Sequence, residues 1–450
     1  MSSSSCVRQF TRNPVRSFFM LWVPVLFSMV AEPLTGLVDT AFVARLGSEQ
    51  LAALGIGTVV LTSGLWLFNF LAVGSQTEVS QAGGRNDFDR AKRFGSLAIF
   101  LAAAIGLCMA LLVSSTASEI TALMGGSGRL QEYSVAYIRL RALGGPAVLV
   151  TMASFGILYG LADMRSPLLV AVCVNTMNIL LDWLLIFGIG PFPSMGVEGA
   201  ALASSISQWV GAVWCLARIK KQLGFTTRVT TDDVRKLMSI GRDMFVRTGS
   251  LILFLLLATR SATRLGADAG AAHQAIRQVW IFTNLFLDAS AVTAQSVVGY
   301  FFGSGSFVRA KQVAKLVSVI SFMIGCVLLA VMAAGTTLAG AILVPASGLV
   351  LFAPAWMVSA MVQPIAALAF VTDGIHWGTG DFVFLRNVVV LATCCGSLAI
   401  VIMDMLGVTS LTAIWWITGA WVFIRAVLGV LRLWPGTARS PLNRAPVMEG

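Results

Sequence analysis

Apolar runs of about 20 residues or longer recur along nearly the whole chain, with only short polar gaps between them. One transmembrane helix needs about 20 mostly apolar residues. Only 11% of the 450 residues are charged, where about a quarter is usual in soluble proteins. These features exclude a soluble fold and predict an all-α polytopic membrane protein. Twelve spans are predicted, at 17–44, 51–80, 91–115, 135–162, 166–190, 196–219, 240–265, 270–302, 310–344, 351–379, 384–407 and 411–433.

The net charge of +11 fits membrane topology better than nucleic acid binding. Most Lys and Arg residues lie in the gaps between apolar runs, and one alternating set of gaps holds nearly all of them. Basic loops mark the cytoplasmic side of a membrane. Both termini are therefore expected on the cytoplasmic side of a plasma or inner membrane, or on the equivalent side of an organellar membrane. The bilayer is the expected partner, and nucleic acid is not.

A basic, hydrophilic linker divides the chain near its middle and prompts a search for a repeat. RLGSEQLAA around Gly47 matches RLGADAGAA around Gly266, an offset of 219 residues. The same offset matches Gln76 with Gln295 and RAK at 90–92 with RAK at 309–311. A further stretch matches at offset 218, pairing Pro146, Gly156, Gly160 and Asp163 with Pro364, Gly374, Gly378 and Asp381.

The repeat predicts two pseudo-symmetric six-helix bundles. Six is an even number, so both halves enter the membrane in the same direction and the repeats are parallel. This architecture is typical of a secondary transporter that works by alternating access, with its sites near the bilayer midplane. The predicted organisation is an N-terminal segment (1–16), an N-terminal lobe (17–219), a linker (220–239), a C-terminal lobe (240–434) and a tail (435–450).

Several motifs together resemble the multidrug and toxic compound extrusion (MATE) transporters. They include LVDTAFVARLG in the first helix, QAGGRNDFDRAKR in a basic loop, GILYGLADMRSPL, NILLDWLLIFG and, in the second half, DGIHWGTGDF. The resemblance covers nearly the whole chain. The second half lacks the carboxylates typical of the sodium-dependent branch, so the chain resembles the DNA-damage-inducible (DinF) branch more closely.

Ionisable side chains inside a membrane are costly and default to functional hypotheses. Asp39 lies well inside the first apolar run and shares a helix face with Glu32. Pro24 and Pro33 interrupt the hydrogen-bond ladder of the same helix and offer a conformational hinge. A carboxyl group beside a hinge can couple proton binding to shape. The alternative is that Asp39 pairs near the helix end, for example with Arg45; Glu32 is either a second proton site or an outward-facing partner.

The fifth apolar run carries Asn175, Asn178 and Asp182 on one helical face. Amides can hold a protonated carboxyl group or, together with carboxylates, coordinate a desolvated sodium ion. The resemblance implies that Asp39, Asn178 and Asp182 form the cation-coupling network of the N-terminal lobe, and that Pro24 is the bend of the first helix. The alternative is an interhelical polar clamp.

Three intramembrane charges, Arg247, Asp288 and Asp373, occur only in the second half. They are interpreted either as charge pairs between helices, in particular Arg247 with Asp373 or Asp288, or as substrate contacts, where an Arg would favour anions. No metal-ligand cluster, nucleophile motif or P-loop is present in the sequence. No cofactor, no resident metal and no enzymatic activity are therefore expected.

The function predicted from the sequence is a monomeric, cation-coupled antiporter that exports a small organic cation or anion. The coupling ion is expected to be the proton, with the sodium ion as the alternative. A flippase for a lipid-linked precursor is the related alternative, and a membrane-embedded enzyme or channel is disfavoured.

Overall fold

The computed structural model describes residues 13–434 and 440–443. Parts of the predicted N-terminal segment and tail therefore lie outside the described residues. The described helices are, in chain order, α1 Pro14–Ala44, α2 Ser48–Trp66, α3 Phe70–Gly84, α4 Phe88–Ser115, α5 Ala117–Leu123, α6 Gly128–Ala142, α7 Gly145–Gly160, α8 Arg165–Phe187, α9 Val197–Gln222, α10 Thr231–Arg264, α11 Ala267–Gly303, α12 Phe307–Ala334, α13 Thr336–Leu343, α14 Leu349–Met361, α15 Gln363–Thr379, α16 Phe382–Leu406 and α17 Leu411–Leu433.

Nine helical segments of this part of the chain are long and apolar enough to cross a membrane, and two bent helix pairs bring the number to eleven. Helix α10 has 34 residues, more than one crossing needs, and acidic residues in its first turn. Counting α10 with these eleven spans gives twelve membrane crossings. The all-α polytopic fold with twelve transmembrane helices is confirmed.

Four predicted spans are each divided between two helices in the structure, namely those at 51–80, 135–162, 310–344 and 351–379. The span predicted at 310–344 is too long, because α12 ends at Ala334 and a separate short helix, α13, follows Gly335. The Thr336 hydroxyl donates to the carbonyl oxygen of Ala333 at 2.8 Å, a local bond that competes with the helical ladder. The span predicted at 51–80 is likewise interrupted at 67–69, between α2 and α3.

Both repeats bend at the same position. Helices α6 and α7 meet at 45°, and α14 and α15 meet at 44°. The bends fall beside Pro146 and Pro364, which are the second residues of α7 and α15. Proline has no N–H to continue the helical ladder, so one sequence feature produces the same bend twice. Helix α1, in contrast, is helical from Pro14 to Ala44 through Pro24 and Pro33.

The described chain forms two compact units. The N-terminal unit comprises residues 23–241, and the C-terminal unit comprises residues 242–443 together with residues 13–22. Trp22, near the start of α1, belongs to the C-terminal unit because its Nε1 donates to Ser290 Oγ at 3.0 Å. The core of that unit includes Phe254 stacked on Trp421, with ring centroids 4.7 Å apart.

Matching glycines allow the same close helix contacts in both units. A Cβ at Gly156 would overlap the carbonyl oxygen of Ala72, and a Cβ at Gly374 would overlap that of Ala291. The partners, like the glycines, are related by the repeat. A Cβ at Gly160 would lie 2.9 Å from the Gln76 carbonyl oxygen, and one at Gly378 would lie 2.8 Å from that of Gln295. Each unit thus packs its second and fourth crossings in the predicted register.

Replacing Gly156 or Gly374 with Ala should destabilise the protein by similar amounts, about 1–3 kcal/mol, because each added methyl group forces two backbones apart. The measurement is the melting temperature of purified protein in detergent. Gly55→Ala and Gly249→Ala are the controls, since nothing lies within 4 Å of a Cβ at either position. If one member of the repeat-related pair behaves like its control, the shared packing register is wrong.

Candidate functional site

A polar cluster in the N-terminal unit joins α1, α8 and α9. Asn178 and Asp182 lie one turn apart on α8, and Asn178 Nδ2 donates to Asp182 Oδ2 at 3.0 Å. Ser204 Oγ of α9 lies 3.5 Å from the same amide nitrogen. Asp182 is fully buried and Asn178 is 7% exposed. The i, i+4 spacing on an apolar helix therefore puts an amide and a carboxyl group side by side, out of water.

Asp39 of α1 completes this cluster. Its carboxyl group lies close enough to that of Asp182 for the two to interact directly, and Arg141 of α6 interacts electrostatically with both. The Oδ1 atoms of Asp39 and Asp182 are buried and have no hydrogen-bond donor. An ionised carboxylate can only accept hydrogen bonds, so two carboxyl groups can bond to each other only when one holds a proton. A proton held by either acid would therefore allow a hydrogen bond between α1 and α8 at this position.

Two other predicted members lie apart from this cluster. Asn175 is on the predicted face of α8, but its Nδ2 donates to the Ala171 carbonyl oxygen of its own helix at 2.7 Å. Glu32 of α1 is exposed. The structure brings together Asp39, Asn178 and Asp182 but not Asn175 and Glu32. Residues on one helix face can lie several turns apart, whereas the side chains that meet in one contact lie within about one turn of each other.

A second buried cluster lies in the C-terminal unit. Arg247 of α10 and Arg425 of α17 both donate through Nη2 to one oxygen, Oδ2 of Asp373 on α15; the Arg425 bond measures 2.9 Å. Arg247 lies over the ring of Trp377 at 4.9 Å, and Arg425 lies over that of Trp421 at 4.8 Å. Ion pairing and cation–π contacts together compensate the cost of burying these charges.

Asp288 of α11 adds a fourth ionisable group, which interacts electrostatically with Arg247, Asp373 and Arg425. Of the two predicted ion pairs, the structure has Arg247 with Asp373 as a direct contact. Arg425 was missed by the sequence analysis. A charged residue in the middle of the last apolar run, WVFIRAVLGVL, was the signal that could have found it.

Polar contacts near the predicted cytoplasmic side hold the ends of several helices. Glu78 of α3 is 3% exposed and pairs with Arg90 at 2.9 Å. In the connection between α7 and α8, burial raises the pKa of Asp163, but hydrogen bonds from Ser166 and Gln222, with the charge of Arg218, outweigh it and hold this pKa below its usual value. Asp163 therefore contributes to the fold as a carboxylate.

Twelve membrane-crossing helices in two matching repeats, each with a buried ionisable cluster, define a multi-pass membrane transporter rather than an enzyme. The MatE family model matches residues 24–184. Protein DETOXIFICATION 44, chloroplastic, of Arabidopsis thaliana is 29% identical over 442 residues, which cover 93% of this chain and 82% of the relative. DNA damage-inducible protein F of Escherichia coli is 28% identical over 303 residues, 66% of this chain and 65% of the relative.

Solved structures show the same fold. A crystal structure of a MATE protein in the bent conformation has a TM-score of 0.86 at 19% identity and covers 95% of this chain and 96% of its own. A MOP superfamily transporter from Pyrococcus furiosus has a TM-score of 0.86 at 18% identity, covering 99% and 98%. The chain is therefore similar to MATE transporters in sequence and in fold, and E. coli DinF is among its relatives, as the sequence motifs predicted.

Proposed function

We infer that this transporter is a proton-coupled antiporter, which exports small organic solutes by alternating access. The observation that carries the inference is the proximity of the buried carboxyl groups of Asp39 and Asp182, which can hydrogen-bond to each other only when one of them holds a proton. Loss of that proton leaves two like charges close together, which costs free energy in a medium of low dielectric constant. Proton binding and release can therefore favour different arrangements of α1 and α8.

A sodium ion suits this cluster less well. Sodium is a hard cation and requires several oxygen ligands, as other hard cations do. Asn178 presents its N–H donor, not its carbonyl oxygen, to Asp182. The arrangement thus supports a site for a proton, and the proposal includes no cofactor or resident metal.

Substrate contacts are assigned to Arg247, Asp288 and Asp373 together with Arg425. Both arginines keep a buried Nε atom without a hydrogen-bond partner. An unpaired buried donor is costly, and a carboxylate ligand would satisfy it with bidentate geometry. The cluster carries charges of both signs, so a panel of organic cations and anions is the appropriate set of substrates.

The proposed orientation places both termini on the cytoplasmic side of a plasma, inner or organellar membrane, because the basic connections between helices alternate as that orientation requires. The proposed working unit is a monomer, since each buried ionisable cluster is complete within one chain.

The test is transport by the purified full chain in proteoliposomes. A pH step without a sodium gradient should drive accumulation of one or more solutes from the panel, and a proton ionophore should abolish it. A sodium step at equal pH should leave uptake at the level of protein-free liposomes. Accumulation driven by the sodium step alone would contradict proton coupling. If neither gradient drives transport but a fluorescent lipid is flipped in the same vesicles, the flippase alternative is correct.

A further inference from the structure

A cavity of about 980 Å³ opens in the C-terminal unit, away from both ionisable clusters. Its walls are largely apolar and include Val319, Phe322 and Val430. Lys311 and Lys315 line the cavity on α12, between one and three turns before Val319 and Phe322. The two lysines are one turn apart and therefore lie on one helix face. The cavity is thus a long apolar groove with a basic end.

The corresponding face of the N-terminal unit is covered by the chain itself. Offset 219 pairs α4 with α12 and places Ser96 at the position of Lys315. After α9, the backbone N–H of Thr226 donates to Ser96 Oγ at 3.1 Å. Asp233, in the first turn of α10, pairs with Arg93 at 3.3 Å. A segment that follows the sixth crossing closes this face.

In the C-terminal unit, the segment after the last crossing packs on the start of the corresponding face. Leu442 corresponds to Leu223 by the same offset and is 3% exposed. The next residue, Asn443, accepts a hydrogen bond from Lys311 Nζ at 3.4 Å through Oδ1. The residues after Asn443 lie outside the described part of the chain. Residues 435–439 lie outside it as well, and among the described residues no segment covers the rest of the groove.

The two units differ at the basic end of the groove, where Lys315 takes the place of Ser96, and this difference changes the kind of ligand that can bind. A serine hydroxyl accepts the backbone N–H of a covering segment, whereas a lysine ammonium group can only donate. No Asp or Glu is among the described residues that line the groove. A second peptide segment could not repeat the Thr226 bond at Lys315, but an anion would satisfy both lysines. Apolar walls of this length require that the anion carry a hydrocarbon chain.

We propose that this groove binds one anionic phospholipid from the bilayer. Its phosphate lies between Lys311 and Lys315, and an acyl chain lies along Val319 and Phe322. The positions of Lys311 and Lys315 agree with this proposal. The basic connections are predicted to face the cytoplasmic leaflet, where anionic lipids are enriched.

Native mass spectrometry of the full chain in detergent tests this proposal, with phosphatidylglycerol and phosphatidylcholine of identical acyl chains as probes. The wild type should retain one phosphatidylglycerol in preference to phosphatidylcholine. Each lysine near an anionic headgroup contributes about a fivefold preference, so K311Q/K315Q should reduce the ratio about 30-fold. K220Q/K221Q is the matched control. Both lysines are exposed in the last turn of α9, and replacing them removes the same amount of charge as K311Q/K315Q. Val319→Trp, which fills the groove, should reduce retention of both lipids.

Three outcomes would overturn the proposal. An equal loss of preference in K220Q/K221Q would mean that general surface charge attracts the lipid. Competition by inorganic phosphate at concentrations that leave the control unchanged would mean that the site takes a free anion. A chain truncated after Asn443 that gains a phosphatidylglycerol that the full chain lacks would mean that residues 444–450 fill the groove.

Discussion

Asp39→Asn should fold normally and lose transport driven by a pH step. The amide imitates the protonated carboxyl group, so it can still bond to Asp182, but it cannot release a proton. A ligand drives the cycle only through its differential affinity for two states. Coupling free energies of about 1–3 kcal/mol correspond to roughly 5–150-fold, so gradient-driven accumulation should fall to the uncoupled level. Initial uptake rates in proteoliposomes at a fixed pH step measure this effect.

Asp182→Asn should have the same effect, because it removes the other acid of the pair. Glu32→Gln is the matched control: it makes the same kind of change on α1, at an exposed side chain. Coupled transport by Asp39→Asn at close to the wild-type rate would exclude Asp39 from the mechanism and leave Glu32 or Asp182 as the coupling acid. Loss of coupling in Glu32→Gln would instead support the second proton site that the sequence left open.

Asp373→Ala should cause the largest loss of stability, because Arg247 and Arg425 lose the one oxygen to which both donate. Removing one partner from a buried ion pair costs about 3–5 kcal/mol. The amount of folded protein and its melting temperature in detergent measure this loss. Asp232→Ala is the control, since that carboxylate is 92% exposed and should change stability by about 0.5 kcal/mol or less.

Arg247→Ala separates the structural role of this cluster from a role in substrate binding. Arg425 still donates to Asp373 at 2.9 Å in this variant, so the remaining charge keeps a partner and the loss of stability should be smaller. We expect altered preference between organic anions and cations, with gradient-driven proton release intact. An Arg247→Ala protein that is only less abundant, with unchanged preference, would leave the cluster as an ion pair of the fold.

The repeat explains why much of the architecture could be predicted from the sequence. Gly156 and Gly374 matched at one offset, and the structure gives them the same contact with Ala72 and Ala291. Pro146 and Pro364 matched likewise and produce equal bends. Contacts made by single side chains were less predictable. Asn175 had the right residue type and face but bonds to its own backbone, and Arg425 was overlooked in an apolar run.

Apolar run length, loop charge, residue offsets and motifs were enough to predict the membrane class, the twelve crossings, the parallel repeat and the resemblance to MATE transporters, because they are properties of the chain that need no partner. The tertiary structure alone decided which ionisable groups meet. Asp39 and Asp182 are 143 positions apart in the sequence, and Arg247 and Asp373 are 126 apart. Helical periodicity fixes the face on which a side chain lies, but packing between helices fixes which side chain faces it across the contact.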